Sequence, residues 1–258
     1  MNWKRTKTLF IIVFLLVNIC LLLIYVDKIK KSQVSDAEND NAVHFEQENI
    51  KIPKNVPNSE GIQMELITAR SKSFKKEAEA EDKAEVSDNG YTISKDMSEA
   101  VDVKQDPIVH LKPYIDQNIY KGNTYQYHET KDGRIYYEQT YQNYPIMNNN
   151  RATLSFEMED ESVKRYAQSA MEDIRPSKGS NNQPRNVISA RDALEALYFN
   201  QYLKSGDEVL SMRLGYYTVV KETNVQVLQP NWEVTVKSKN DTHTYYVEAV
   251  SQNPQITE

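Results

Sequence analysis

Residues 189–250 read SARDALEALYFNQYLKSGDEVLSMRLGYYTVVKETNVQVLQPNWEVTVKSKNDTHTYYVEAV. Ser189, followed three residues on by Asp192, gives a start like a capping box, in which side chain and backbone satisfy each other's orphan donors. Ala190, Ala193, Leu194, Leu197, Tyr198, Gln201 and Tyr202 then recur at helical spacing, and Gly206 is the predicted stop. Strand-like runs follow at Val209–Val220, Val225–Leu228, Trp232–Lys237 and Thr244–Val250, with Lys239-Asn240-Asp241 as the last turn. The order is one helix, then antiparallel strands.

The same order occurs upstream. Asp106-Pro107 is an N-cap with Pro at the first helical position, and Leu111, Tyr114, Ile115 and Ile119 form the apolar stripe. Pro113 conflicts with one straight helix, and Gly122 supplies a stop. Strand-like runs come at Tyr125–Thr130, Ile135–Thr140, Ala152–Glu157 and Val163–Ala170, with hairpin turns at 131–134 and 159–162. Both copies carry a Pro between strands, at Pro145 and Pro230.

The expected fold is therefore α+β: two similar units, residues 105–175 and 187–254, each one helix packed on an antiparallel sheet, joined by a Pro- and Asn-rich linker at 176–186. Residues 43–104 feed this body with short strands at Ile50/Ile52, Ile62/Met64/Leu66 and Val101/Val103. The charged stretch 75–89 is read there as an exposed loop or a short solvated helix.

The N-terminus is of another kind. Leu9–Val26 holds no charged residue, and 15 of its 18 side chains are Leu, Ile, Val or Phe. At about 1.5 Å per residue it reaches across a bilayer core, and each such side chain favours insertion by about 0.3–0.6 kcal/mol. No small-x-small cleavage pattern follows it, so it reads as an uncleaved transmembrane helix rather than a signal peptide. The boundaries are a cytoplasmic tail at 1–8, the span at 9–26 and a tether at 27–42. The basic residues flanking the span barely separate its sides, but the acidic remainder favours an extracytoplasmic C-terminal region. Phe14, Asn18, Leu21 and Tyr25 share one helix face, a docking face for another membrane helix or a stripe with a self-satisfied amide.

Composition narrows function further. The 258 residues carry a net charge of -6, against nucleic-acid binding, which needs a basic face. The seven Gly leave little material for a phosphate cradle, and one Cys excludes an intramolecular disulfide and Cys-based zinc sites. None of His44, His110, His128 and His243 forms a zinc motif, and no G-x-S-x-G elbow occurs, so no catalytic, metal or cofactor residue is assigned. The 17 Tyr stand out. Adjacent pairs at Tyr136/Tyr137, Tyr216/Tyr217 and Tyr245/Tyr246 would point to opposite sheet faces, one into the core and one toward a partner. These six are the candidate protein-interaction residues.

The start MNWKRTKTLFIIVFLLVNI (1–19), the internal EQTYQNYPIMNN (138–149) and ALYFNQYLKSGDEVLSMRLGYYTVVKETNVQVLQPNWEV (196–234) resemble the YycI (WalI) family of Gram-positive bacteria. The resemblance runs over nearly the whole chain and is strongest from Val187 to Val250. It implies a single-pass membrane protein with an extracytoplasmic domain, a non-catalytic regulator of a sensor histidine kinase (WalK/YycG-like) in a two-component system for cell-wall homeostasis. It implies a YycH-like partner, no cofactor and contacts through the transmembrane helix and the outer domain; self-association into a homodimer is a further expectation. The alternative from a different class is an anchored module binding a cell-wall fragment or peptide in the cleft between the two units.

Overall fold

In a computed structural model, the described residues are 43–258 without 82, 180, 223 and 240, together with 7, 13–18 and 21. Residues 13–18 are helical. Among the described residues no helix is long and apolar enough to cross a membrane, and the rest of the expected span, the tether and most of the tail lie outside them. The chain divides into Met1–His44 and a compact body, Phe45–Glu258.

The body is α+β and rich in sheet. In chain order it runs β1 (Gln63–Met64), β2 (Ile67–Ser71), α1 (Lys75–Glu79), β3 (Ala84–Ser87), β4 (Thr92–Asp102) and α2 (Pro107–Asn118). Then come β5 (Tyr125–Lys131), β6 (Arg134–Tyr141), β7 (Tyr144–Met147), β8 (Thr153–Glu159), β9 (Ser162–Ser169), β10 (Met171–Pro176) and β11 (Arg185–Asn186). The last elements are α3 (Ala190–Phe199), β12 (Glu208–Lys221), β13 (Val225–Ser238), β14 (Asp241–Glu248) and β15 (Ile256–Thr257). The long path of strands is β10-β2-β13-β12-β7-β6-β8-β9-β4-β3; β5 adds to β6, and β14 with β15 adds to β13.

α2 and α3 each cover one sheet face. The Asp106 carboxylate accepts from the Ile108 and Val109 amides at 3.0 and 3.2 Å, fixing the start of α2. Its buried side, Leu111, Ile115 and Ile119, packs with Ile135, Tyr137, Leu154, Phe156 and Val163. Pro113 does not break the helix: it sits on the exposed side, so its ring displaces no core side chain. Gly122 ends the turn because a Cβ there would lie 2.0 Å from the Ile115 carbonyl oxygen. α3 opens with the full capping box between Ser189 and Asp192, buries Ala190, Ala193, Leu194 and Leu197, and lies against β14.

Several local readings need correction. α3 stops at Phe199, seven residues before Gly206. Gln201 takes the left-handed conformation (φ 67), while the Tyr202 and Gln201 amides donate back to the Leu197 and Tyr198 carbonyls. That is a Schellman ending made without glycine, and Gly206 serves a later turn (φ 86). The Ile50/Ile52 segment is no strand; Lys51 makes one isolated bridge to Glu208. The charged stretch 75–89 does hold a short solvated helix, α1, as one of its two readings expected, but it also holds β3, paired with β4. Val225–Ser238 is one strand, not two. Pro230 is tolerated because β2 pairs residues 225–228 of that edge and β14 residues 231–238. The missing N–H falls in the gap between the two partners, where only the Pro230 carbonyl is used, by the Ala249 amide. Asn182, within the 176–186 stretch, holds Leu66 with its side chain, accepting from the Leu66 amide at 3.0 Å and donating to its carbonyl at 2.9 Å.

The two helix-bearing layers join at β7. Its residues Ile146 and Met147 pair in parallel with Tyr216 and Tyr217 of β12, after a two-residue turn with Gln142 and Asn143 both at positive φ. At the joint, a Cβ on Gly215 would meet the Pro145 oxygen at 2.5 Å and the Met147 sulfur at 2.8 Å. Buried amides reinforce it: Asn149 donates to Thr218 and Gln226 at 2.5 and 2.7 Å, and Gln139 both donates to and accepts from the Met171 backbone. Gly215→Ala is expected to lower stability by about 1–3 kcal/mol through overpacking. Urea unfolding of the full chain in detergent checks this; an unmoved midpoint would mean that β7 and β12 do not pack this closely.

Candidate functional site: a carboxylate-lined groove

Besides charges at or next to their ends, three strands each carry a charged side chain in the middle of an apolar or tyrosine-rich run: Glu138 on β6, Arg213 on β12 and Glu233 on β13. Alternation decides where they point. On β6, Ile135 and Tyr137 face the α2 core, so Glu138 faces away from it. On β13, the Trp232 indole donates to the Ile188 carbonyl beside α3, so Glu233 faces away from α3. Arg213 is the cross-strand partner of Glu233. The faces turned from the two helices therefore meet at one guanidinium.

Arg213 is gripped by two carboxylate forks. Nη1 and Nη2 donate to the two oxygens of Glu138, the second at 3.1 Å; Nε and Nη2 donate to those of Glu233 at 2.5 and 3.0 Å. Both carboxylates are buried, at 7% and 8% residual exposure. Burial works against the guanidinium's charge, but the hydrogen bonds it donates to Glu233 and Glu138 outweigh it and raise the Arg213 pKa above its ordinary value. Tyr246, opposite Glu233 on β14, has its phenol raised by burial and by that carboxylate.

A bulge in β5 completes the arrangement. Tyr127 pairs with Tyr137 and Glu129 with Tyr136, so His128 is the extra residue, and both His128 and Glu129 turn to the Glu138 side. His128 Nδ1 lies 3.7 Å from Glu138 and Nε2 3.7 Å from Glu129. These groups line a groove of about 630 Å³ between β5–β6 and β12–β13, closed at one end by Asn143, Tyr144 and Pro145 and flanked by Pro57, Asn58 and Ile62. With three carboxylates to one guanidinium and one imidazole, the lining is acidic. It offers ionic and hydrogen-bond recognition. Among the described residues no group of His, Cys, Asp or Glu could hold a metal ion.

The tyrosines singled out by sequence distribute unevenly. Tyr137 is buried in the α2 core, edge-on to Tyr127 and Phe156, and its phenol is pushed up to about 12, by burial first. Tyr216 is buried edge-on to Tyr141. Tyr136 and Tyr217 are half-exposed, each on its strand's groove-side face, with Glu138 and Arg213 respectively. Tyr245 and Tyr246 are both covered: Tyr202 lies 5.2 Å from the first ring, and Tyr217 stacks on the second at 4.3 Å. The alternation holds there too, but both faces of β14 are occupied. In the N-terminal segment, Phe14 and Leu21 are exposed, and Asn18 donates to the Phe14 carbonyl one turn back at 2.8 Å. Tyr25 lies outside the described residues.

Sequence reasoning passed over Arg213, Glu138 and Glu233. The available signal was a lone charge at an alternating position inside each strand run, where desolvation demands a partner.

The profile of the YycI protein family matches residues 29–250. No curated protein matches the sequence. Among solved structures, the chain is similar to an uncharacterized protein from Eubacterium rectale, at a TM-score of 0.46 and 7% identity, covering 76% of this chain and 87% of that one.

Removing the guanidinium would leave two buried like charges, so Arg213→Ala is expected to cost about 3–5 kcal/mol at pH 7. One carboxylate of the orphaned pair would then carry a folded-state pKa above its unfolded value. Its penalty is therefore full at neutral pH and relieved as pH falls. Urea unfolding of full-length wild type and variant at pH 7 and pH 5 checks both; a deficit below about 1 kcal/mol at pH 7, or one that grows on acidification, would contradict this reading.

Proposed function

We propose, because this chain belongs to the YycI protein family, that it regulates by contact a sensor kinase of the WalK/YycG type. Family membership makes it a regulatory accessory protein of the YycG/WalK two-component system, and the family is not a known enzyme family. The finer reading is ours. The N-terminal segment anchors the chain in the cell membrane, the tail is cytoplasmic and the α+β body is extracytoplasmic, beside a YycH-like partner. The uncharged, strongly apolar run at Leu9–Val26 is the observation that carries the anchor.

Two features support action by touch. Helical residues 13–17 expose apolar side chains, as a lipid- or helix-facing surface requires. Asn18 spends one N–H on its own helix, which leaves its other N–H and its oxygen, among the described residues, to a neighbouring helix. A membrane contact of this kind needs only modest energy, since couplings of about 1–3 kcal/mol shift an equilibrium about 5–150-fold. Tyr136 and Tyr217, the half-exposed members of their pairs, are the candidate contacts of the outer body. One observation favours a second reading, an anchored module that binds a wall fragment or peptide: the groove around Arg213.

Joint replacement of Phe14, Asn18, Leu21 and Tyr25 by Leu or Ala is expected to change kinase-dependent reporter output at least about fivefold at equal protein level. Unchanged output would remove the transmembrane half of the reading. Tyr136→Ala with Tyr217→Ala is expected to reduce co-purification with the YycH-like protein; full recovery of the complex would remove the outer half.

A further inference from the structure

We propose that the free edge of β5, with the groove beside it, receives an extended segment of a partner protein bearing lysine or arginine, added as a further strand. β5 is hydrogen-bonded to β6 alone. The Tyr125 amide donates to the Gly122 carbonyl, but from Gln126 to Lys131 the outward backbone groups have, among the described residues, no other backbone partner. Such an edge is a template for one more strand, and main-chain bonds to it give affinity without demanding a sequence.

The groove beside it supplies the selectivity. Gln126, Tyr127, His128 and Glu129 of β5, with Glu138 of β6, line one wall, and Arg213 and Glu233 of β12 and β13 line the other. Arg213 donates one bond to every oxygen of Glu138 and Glu233, and a carboxylate oxygen has capacity to accept a second. Glu129 makes no bond to Arg213, and the His128 imidazole lies 3.7 Å from it. One guanidinium does not neutralise three carboxylates, so the residual charge calls for a cation. In an extended segment alternate side chains point the same way, which brings a basic residue at every second position to this wall. β3, at one end of the strand path, has exposed side chains apart from the half-buried Ala84.

The proposal rests on the reading of this chain as a protein that works by contact. The test uses the full chain in detergent and three probes: the peptide acetyl-(Thr-Lys)3-amide, its counterpart acetyl-(Thr-Glu)3-amide, and lysine amide. Fluorescence anisotropy of labelled peptides reads affinity, and hydrogen exchange reads protection along residues 125–131. The lysine peptide is expected to bind at least tenfold more tightly than the glutamate peptide, to weaken with salt and to slow exchange in β5. Glu129→Gln, outside the Arg213 clamp and therefore safe for folding, is expected to weaken it several-fold. Equal binding of the two peptides, protection confined to other strands, or lysine amide competing fully without protecting β5 would each overturn the proposal; the last would mean a small-cation site. Absent binding with an intact reporter response to the Phe14/Asn18/Leu21/Tyr25 replacement removes the groove alone. Binding with an unresponsive reporter leaves the groove and removes the kinase role.

Discussion

Arg213 is where this body is held to one geometry. Taking a guanidinium and two carboxylates out of water costs several kcal/mol per ion. That cost is offset only when the hydrogen bonds are nearly complete, and two forks on one planar cation come close to completing them. A lysine ammonium would be a point charge without the planar fork. Because Glu138 belongs to β6 and Glu233 to β13, the cluster fixes how the strand layers under α2 and α3 meet. The close approach of β7 to β12 at Gly215 sets the same relationship through sterics.

The same arrangement decides which surfaces are left outside. The sheet faces under α2 and α3 are consumed by core packing, so their tyrosines stabilise rather than recognise. The surface with recognition chemistry is the opposite one, where His128 and Glu129 line the groove with the ion cluster and Tyr136 and Tyr217 are half-exposed.

Much of the fold was legible in local chemistry. The caps at Asp106 and Ser189, the helical stripes behind them, and the period-2 runs between Tyr125 and Val250 mark helices and strands within a few residues of their bounds. The failures share a cause. Gln201 ends α3 in place of Gly206, because the helix's own carbonyls could be satisfied without glycine. Pro230 stays inside a strand because the neighbours on that edge leave it a gap. In both places a residue's local preference yields to partners brought from elsewhere in the chain.

The same division applies to the site. Sequence alone determined the helix-then-strands order, the family resemblance, the apolar N-terminal run and the acidic balance, because these depend on spacing and composition along the chain. Only the tertiary structure decided that Glu138, Arg213 and Glu233, separated by 75 and 20 residues, share one ion cluster. Only it decided that β5 ends the sheet beside them and that Tyr245 and Tyr246 are both covered. Strand pairing across long separations is set by the packing of whole faces, and no single strand's pattern encodes which partner it will meet.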